Sequence, residues 1–450
     1  MNADRCWAGT WVTDRLGVRV AGAPPRGDRA FTDRAFTDRA FTDLAGLAVR
    51  RNPRRAHLVV STVLGKHIPV HPATAVAAGH ELGTRTAASV ASSPAAATPP
   101  AVVLGCAETA TALGHLVADC LPEATYLHST RRRPPGHRPL GSFDEQHSHA
   151  RRHLLLPADP SLLATTAPVV IVDDELTTGR TITATIHEAQ RIQPRDHYVI
   201  ATLLDLRTAA DRAALAATAR SLGARIEVVA LVTGELTVPD DVLDRGLRLV
   251  DALDTTDPVP LAHPTTVRRL DPPWPSTLPQ GGQHGFAPGH RARFAAAIDA
   301  VATVVADGLP ADGPLLVLGT EELMYAPMRL AERLAAARPG AVRFSSTTRS
   351  PVLPVGEAGY AVRTRLSFAS HDTLTVEDEA RRFAYNVAPG RLHERYEHVV
   401  VVVDAAADSP ALWAGDGLVE GLRRVCGGVS VVVLPAGGPA PGRTLDGGPG

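Results

Sequence analysis

Two α/β units, the first built on a Rossmann-like parallel sheet, are what this 450-residue chain predicts. Three observations carry that expectation. The length exceeds what one hydrophobic core ordinarily serves. Short apolar, β-branched runs alternate with helix-compatible segments, the pattern of a parallel sheet covered by helices. After a Pro/Gly-dense stretch at 256–289, "TDPVPLAHPTTVRRLDPPWPSTLPQGGQHGFAPG", the alternation begins again.

Taken in order, residues 1–45 read as a disordered start. They contain "RAFTDRAFTDRAFTD" (29–43), a five-residue unit that fits neither helical nor strand period and reads as a solvated expansion. Residues 46–255 form the first predicted domain. "HLVVSTV", "PAVVLGC", "ATYLHS", "APVVIVDD", "YVIATLLD" and "RIEVVALV" are bounded by turn residues and read as strands. "AETATALGHLVADCL", "TITATIHEAQRI" and "AADRAALAATARSLG" read as helices, and "TRTAASVASSPAAATPPA" (84–101) as a flexible insertion. Residues 256–289 are the predicted linker. Residues 290–437 form the second domain, with helix, strand, helix, strand and strand in "HRARFAAAIDAVATVVADGL", "PLLVLGT", "EELMYAPMRLAERLAAA", "VRFSS" and "HVVVVVDAA". Residues 438–450 are a predicted disordered tail.

Composition narrows the function. A formal net charge of -1 argues against bulk electrostatic binding of nucleic acid. No apolar run reaches membrane-spanning length, and the first twenty residues lack the apolar core of a secretory signal, so a cytoplasmic protein with no membrane partner is expected. The four cysteines form no CxxC pair, which indicates neither a disulfide framework nor a cysteine zinc site. Lys66 is the only lysine among 46 Lys and Arg residues, and it follows Gly65 in a turn. A compact, mobile ammonium does what a planar guanidinium cannot.

The segment richest in chemistry is "APVVIVDDELTTGRTITATI" (167–186). A buried strand ends in Asp173 and Asp174, and a Thr/Gly turn then opens a helix. Ligands of open α/β sheets bind outside the carboxyl ends of the strands. A helix N-terminus presents free N–H groups to a phosphate, while two adjacent carboxylates suit sugar hydroxyls.

That segment resembles the PRPP-binding signature of type I phosphoribosyltransferases. The resemblance implies that Asp173 and Asp174, with Glu175 beside them, bind the ribose hydroxyls, and that Thr177, Thr178, Gly179, Arg180 and Thr181 cradle the 5-phosphate. It also implies a pyrophosphate loop after the first sheet strand, where "STVLGKH" supplies Ser61, Gly65, Lys66 and His67, and Mg²⁺ bound with PRPP. A homodimer is an option that the resemblance leaves open. "RNPRRAHLVVSTVLGKHIPV", "LGCAETATALGHLVA", "HSTRR" and "FDEQHSHA" are similar to a bacterial branch linked to tellurite-resistance (ter) gene clusters, whose members carry a C-terminal TRSP domain. Here Thr348-Arg349-Ser350-Pro351 and Phe368-Ala369-Ser370 supply its two motifs. The resemblance implies synthesis of a nucleoside-like metabolite from PRPP and an unknown acceptor.

The stretch 128–155 is rich in Arg and His and reads as a basic loop closing on a polyanion, with a zinc cluster as the alternative. Arg131 and Arg132 are assigned to pyrophosphate. Lys66, Glu145, His147 and His149 are the catalytic candidates, the last three for proton handling on the acceptor. The two halves also echo one another: Glu108 aligns with Glu322, Arg131 with Arg349, His149 with His371, and Asp404 keeps one acid of the pair. The second domain is therefore expected to be a degenerate copy of the first, keeping a pocket of Glu322, Thr348, Arg349, Ser350, Ser370 and His371. The competing functions are a non-catalytic PRPP or nucleotide sensor on the same fold, and a hydrolase or lyase working through the second domain.

Overall fold

The computed structural model describes residues 7–22, 33–35, 40–52, 54–91, 102–144, 152–253, 265–375, 381–388 and 395–435. Two parallel sheets dominate it. In the first, Arg225–Thr237, His197–Asp205, Val169–Leu176, Val102–Gly105 and Thr125–His128 lie side by side in that order. In the second the order is Thr266–Leu270, Gly428–Leu434, His398–Asp404, Leu315–Gly319 and Val342–Ser346. The central strands are continuous β-branched runs because helices cover both faces; Val169 to Val172 and Val399 to Val401 are wholly buried.

Helices fall where apolar periodicity and caps put them. Ala209–Leu222 starts at a Thr208/Asp211 capping box and stops at Gly223 in the left-handed region. Arg180–Ile192 is opened by Gly179 at φ +72°.

Several expectations need correction. The helix Pro72–Ala91 continues through 84–91, read above as an insertion; residues 92–101 lie outside the described set. Its small residues hide the helix because they serve close packing. A Cβ on Gly79 would lie 2.3 Å from Leu116 Cδ1, so the neighbouring helix Ala110–Asp119 approaches to backbone distance. Part of the supposed disordered start is packed: Trp11, Val12 and Leu16 of the helix Thr10–Leu16 are buried, and Arg19–Gly22 pairs with Arg225–Thr237. The predicted linker is also largely structured, since Thr266–Leu270 is an edge strand of the second sheet and Phe286 pairs with Tyr126.

The strand His57–Ser61 is likewise not in the parallel sheet. Among the described residues it pairs antiparallel with Ala45–Val49 alone. A short hairpin connection dictates that direction, and Asn52 Oδ1 shapes it by accepting the N–H groups of Arg54 and Arg55 at 2.8 and 3.2 Å.

Candidate functional site

A cavity of about 160 Å³ opens beyond the carboxyl ends of the first sheet. Asp173, Asp174 and Thr181 line it from the acid-pair strand and its helix, and Ser61, Lys66 and His67 from the turn after the hairpin. The 106–109 turn contributes Glu108 and Thr109, and Arg131 enters from the segment after Thr125–His128. The second half supplies Thr348, Arg349 and Ser350.

The turn that follows the sheet strand beside the acids is therefore 106–109, not 61–67. The expectation that 61–67 directly follows a sheet strand is corrected, because its preceding strand belongs to the hairpin. Lys66 nevertheless reaches the same place. Its Nζ donates to Thr109 Oγ1 at 2.8 Å and lies 3.0 Å from Glu108 Oε2. Gly65 is required for the path: its φ is +76°, and a Cβ would meet Phe344 Cδ1 at 2.6 Å. Ser61 Oγ accepts from the backbone N–H groups of Val63 and Leu64, both at 3.2 Å, and so pins the turn.

Charge concentrates around Glu108. Besides Lys66, Arg349 Nε stands 3.2 Å and Arg131 Nη1 3.8 Å from its Oε1, and Thr348 Oγ1 donates to Oε2 at 3.0 Å. Burial pushes the Glu108 carboxyl up, yet Lys66, Arg349 and Arg131 outweigh it and hold the group well below the usual carboxylate range. Three cations thus converge on one carboxylate, and Arg349 is shared with a second, its Nε donating to Glu321 Oε2 at 2.5 Å. His67 beside them is neutral, pushed down to about 3 first by burial and then by Lys66, and its Nε2 is buried with no hydrogen-bond partner among the described residues.

Glu175 lines the cavity as well, facing Arg55 Nη1 at 2.9 Å. Other assigned residues stand elsewhere. Thr177 and Thr178 are half-buried and Arg180 is exposed, at the turn that opens the helix. Arg132 departs from its expected role: its Nε donates to Asp372 at 2.5 Å and its Nη1 to Asp404, so its charge is compensated within the second half. Glu145, His147 and His149 lie outside the described residues. His153 is buried with Nδ1 2.9 Å from Ser129 Oγ.

The expected second-half pocket is also redistributed. Thr348, Arg349 and Ser350 face the first-half cavity. Glu322 is buried, accepting from Thr130 Oγ1 at 2.5 Å and Arg131 N at 2.8 Å. His371 is buried with Nδ1 2.8 Å from Ala407 O, and Ser370 precedes it, half-buried. Arg50, Arg55 and Thr109 line the cavity without having been singled out. For Thr109 the signal was present, in a turn closing a sheet strand next to the acids; for the two arginines nothing distinguished them from their many neighbours.

Among the described residues no group of three His, Cys, Asp or Glu side chains is placed to hold a metal. Two carboxylates, Asp173 and Asp174, do line the cavity, which suits a Mg²⁺ ion held partly by substrate phosphates and water.

A parallel sheet with an acid pair and a glycine turn at its carboxyl end defines an α/β protein whose acids stand where open sheets of this kind present their ligand sites. Residues 44–235 match the family described as "Phosphoribosyl transferase", and residues 280–422 the one described as "TRSP domain C terminus to PRTase_2". The chain belongs to the phosphoribosyl transferases that carry a C-terminal TRSP domain. Among solved structures it is similar to adenine phosphoribosyltransferase of Rhodothermus marinus, with 19% identity, 36% of this chain and 81% of that one covered, and a TM-score of 0.26. The Giardia lamblia enzyme complexed with 9-deazaadenine shares 19% identity over 35% of this chain and 80% of that one, at a TM-score of 0.25. The Trypanosoma brucei enzyme, in complex with AMP, pyrophosphate and ribose-5-phosphate, shares 10% over 47% and 86%, at 0.31. No curated protein gives a match.

Proposed function

We propose that this protein transfers a ribose 5-phosphate unit from PRPP to an acceptor and releases pyrophosphate. The observation that carries the reading is one cavity lined by both the acid pair, Asp173 and Asp174, and the cations around Glu108. The carboxylates suit the ribose hydroxyls and the Gly179 turn the 5-phosphate. Lys66, Arg131 and Arg349 suit the leaving group, whose charge grows as the C1–oxygen bond breaks. Mg²⁺ bound with PRPP would neutralise pyrophosphate oxygens, with Asp173 and Asp174 as the carboxylates available to it. The link to tellurite-resistance clusters and to a nucleoside-like product is supported by motif resemblance.

Incubation with PRPP, Mg²⁺ and candidate acceptors, with pyrophosphate release followed, tests the reading. Asp173→Asn/Asp174→Asn is expected to abolish release and PRPP binding; unchanged turnover in that variant refutes the site. A PRPP sensor would bind PRPP without releasing pyrophosphate under any acceptor.

A further inference from the structure

Four strands of each sheet share one order and connectivity: His197–Asp205, Val169–Leu176, Val102–Gly105 and Thr125–His128 answer to Gly428–Leu434, His398–Asp404, Leu315–Gly319 and Val342–Ser346, while the fifth differs. Each outer strand, Thr125–His128 or Val342–Ser346, is followed by an antiparallel hairpin: Gly141–Asp144 with Arg152–Leu155, and Arg365–Ala369 with Arg381–Tyr385. Strand register then sets the correspondence of the acids. Gly105 lies against Val172, and Leu318, one residue before the matching Gly319, lies against Val401. Asp404 therefore answers to Asp174.

Contacts between the halves come in reciprocal pairs. Thr348 Oγ1 donates to Glu108 at 3.0 Å, and Thr130 Oγ1 to Glu322 at 2.5 Å. Ser346 N donates to Gly65 O at 2.8 Å, and His128 N to Gly282 O at 3.0 Å. Val70 and Phe344 exchange backbone hydrogen bonds, and so do Phe286 and Tyr126. When residue i of one unit meets j of the other and j meets i, the interface is isologous, the kind a two-fold axis makes.

One pair breaks the symmetry. Arg132 N donates to Thr130 Oγ1 at 3.0 Å, and Ser350 N to Thr348 Oγ1 at 3.2 Å, so Arg132 and Ser350 are counterparts. The Arg132 guanidinium lies on Asp404 and Asp372. Ser350, being short, leaves the cavity at Asp174 open, and its Oγ is buried with no hydrogen-bond partner among the described residues.

We propose that the C-terminal half is a built-in second subunit, which donates Arg349 and Ser350 to the N-terminal cavity while its own equivalent cavity is closed by Arg132 on Asp404. For the ligand's identity, a sugar phosphate bearing pyrophosphate, this rests on the reading above; the arrangement of the halves does not. Each chain then holds one ligand, with Ser350 Oγ bonding a hydroxyl or phosphate oxygen near Asp174.

The test grafts the closed geometry onto the open site in the full chain. In a ligand-free crystal structure of Ser350→Arg, the introduced guanidinium is expected on Asp174. Calorimetric titration of wild type with PRPP and Mg²⁺ is expected to give one site per chain. Ser350→Arg should bind at least a hundredfold more weakly with an unchanged melting temperature, and Ser350→Ala roughly threefold to tenfold more weakly, as for one lost hydrogen bond. A guanidinium directed away from Asp174, two PRPP sites per wild-type chain, or unchanged affinity in Ser350→Ala overturns the proposal. If Ser350→Arg does not fold, stoichiometry and Ser350→Ala decide. Wild type that binds no PRPP, with the guanidinium on Asp174, defeats the phosphoribosyl reading and leaves this one standing.

Discussion

Lys66 sits between Glu108 and Thr109, 8% exposed, in a site that also holds Arg131 and Arg349. A guanidinium there would place a wide planar fork where the fold provides room for one ammonium. Lys66→Arg is therefore expected to lower turnover on the order of 10²-fold, the scale of a misplacement near 1 Å, while PRPP affinity changes little. Parallel measurement of kcat and PRPP binding checks this; wild-type kcat would make the lone lysine an accident of composition. The acid pair behaves differently, since both residues stand at a strand end that any parallel sheet presents to its ligand.

At the level of elements, the turn 61–67 depends on one backbone conformation. Gly65→Ala forces a side chain into the left-handed region and against Phe344, at a cost of about 1–3 kcal/mol. A lower melting temperature with weakened PRPP binding is the expected outcome, and an unchanged melt contradicts it. The parallel strands and their helices were legible in the sequence because apolar runs, turn residues and caps agree there. Three features were not. The strand His57–Ser61 has the same apolar character as the sheet strands, and its departure into a hairpin is set by Asn52 and the short connection. The helix Pro72–Ala91 is written in Ala, Gly and Thr chosen for close packing on Ala110–Asp119, so it resembles a loop. Arg132 reads like its neighbour Arg131, and the acids that claim it are 240 and 272 residues away in the chain. Local pattern carries local structure; partners that meet through the fold leave no local trace.

For the molecule as a whole, stability is tied to buried charge at the junction of the halves. Arg132→Ala strands Asp372 and Asp404 without their cation, and about 3–5 kcal/mol of destabilisation is expected in chemical denaturation; a loss below 1 kcal/mol would show that water compensates the acids. Acid acts on another set. Burial lowers His67 to about 3 and His128 to about 4, and lowers His57 and His115 well below 6.5. For each, the unfolded chain takes up a proton that the folded one refuses. Stability is therefore full above about pH 6.5 and falls as pH drops toward the folded values, by at most about 1.4 kcal/mol per pH unit per histidine. Melting temperatures that stay flat from pH 7 to 5 would contradict this.

The reciprocal contacts between the halves bear on how such a site can change over time. In a homodimer, each substitution is made twice and must be tolerated in both copies of the site. Joined in one chain, the copies mutate independently. Arginine at position 132 and serine at 350 are different answers at one structural position, a divergence open only to a tandem gene product. One half is thereby free to become architecture, and the other keeps a site assembled from both.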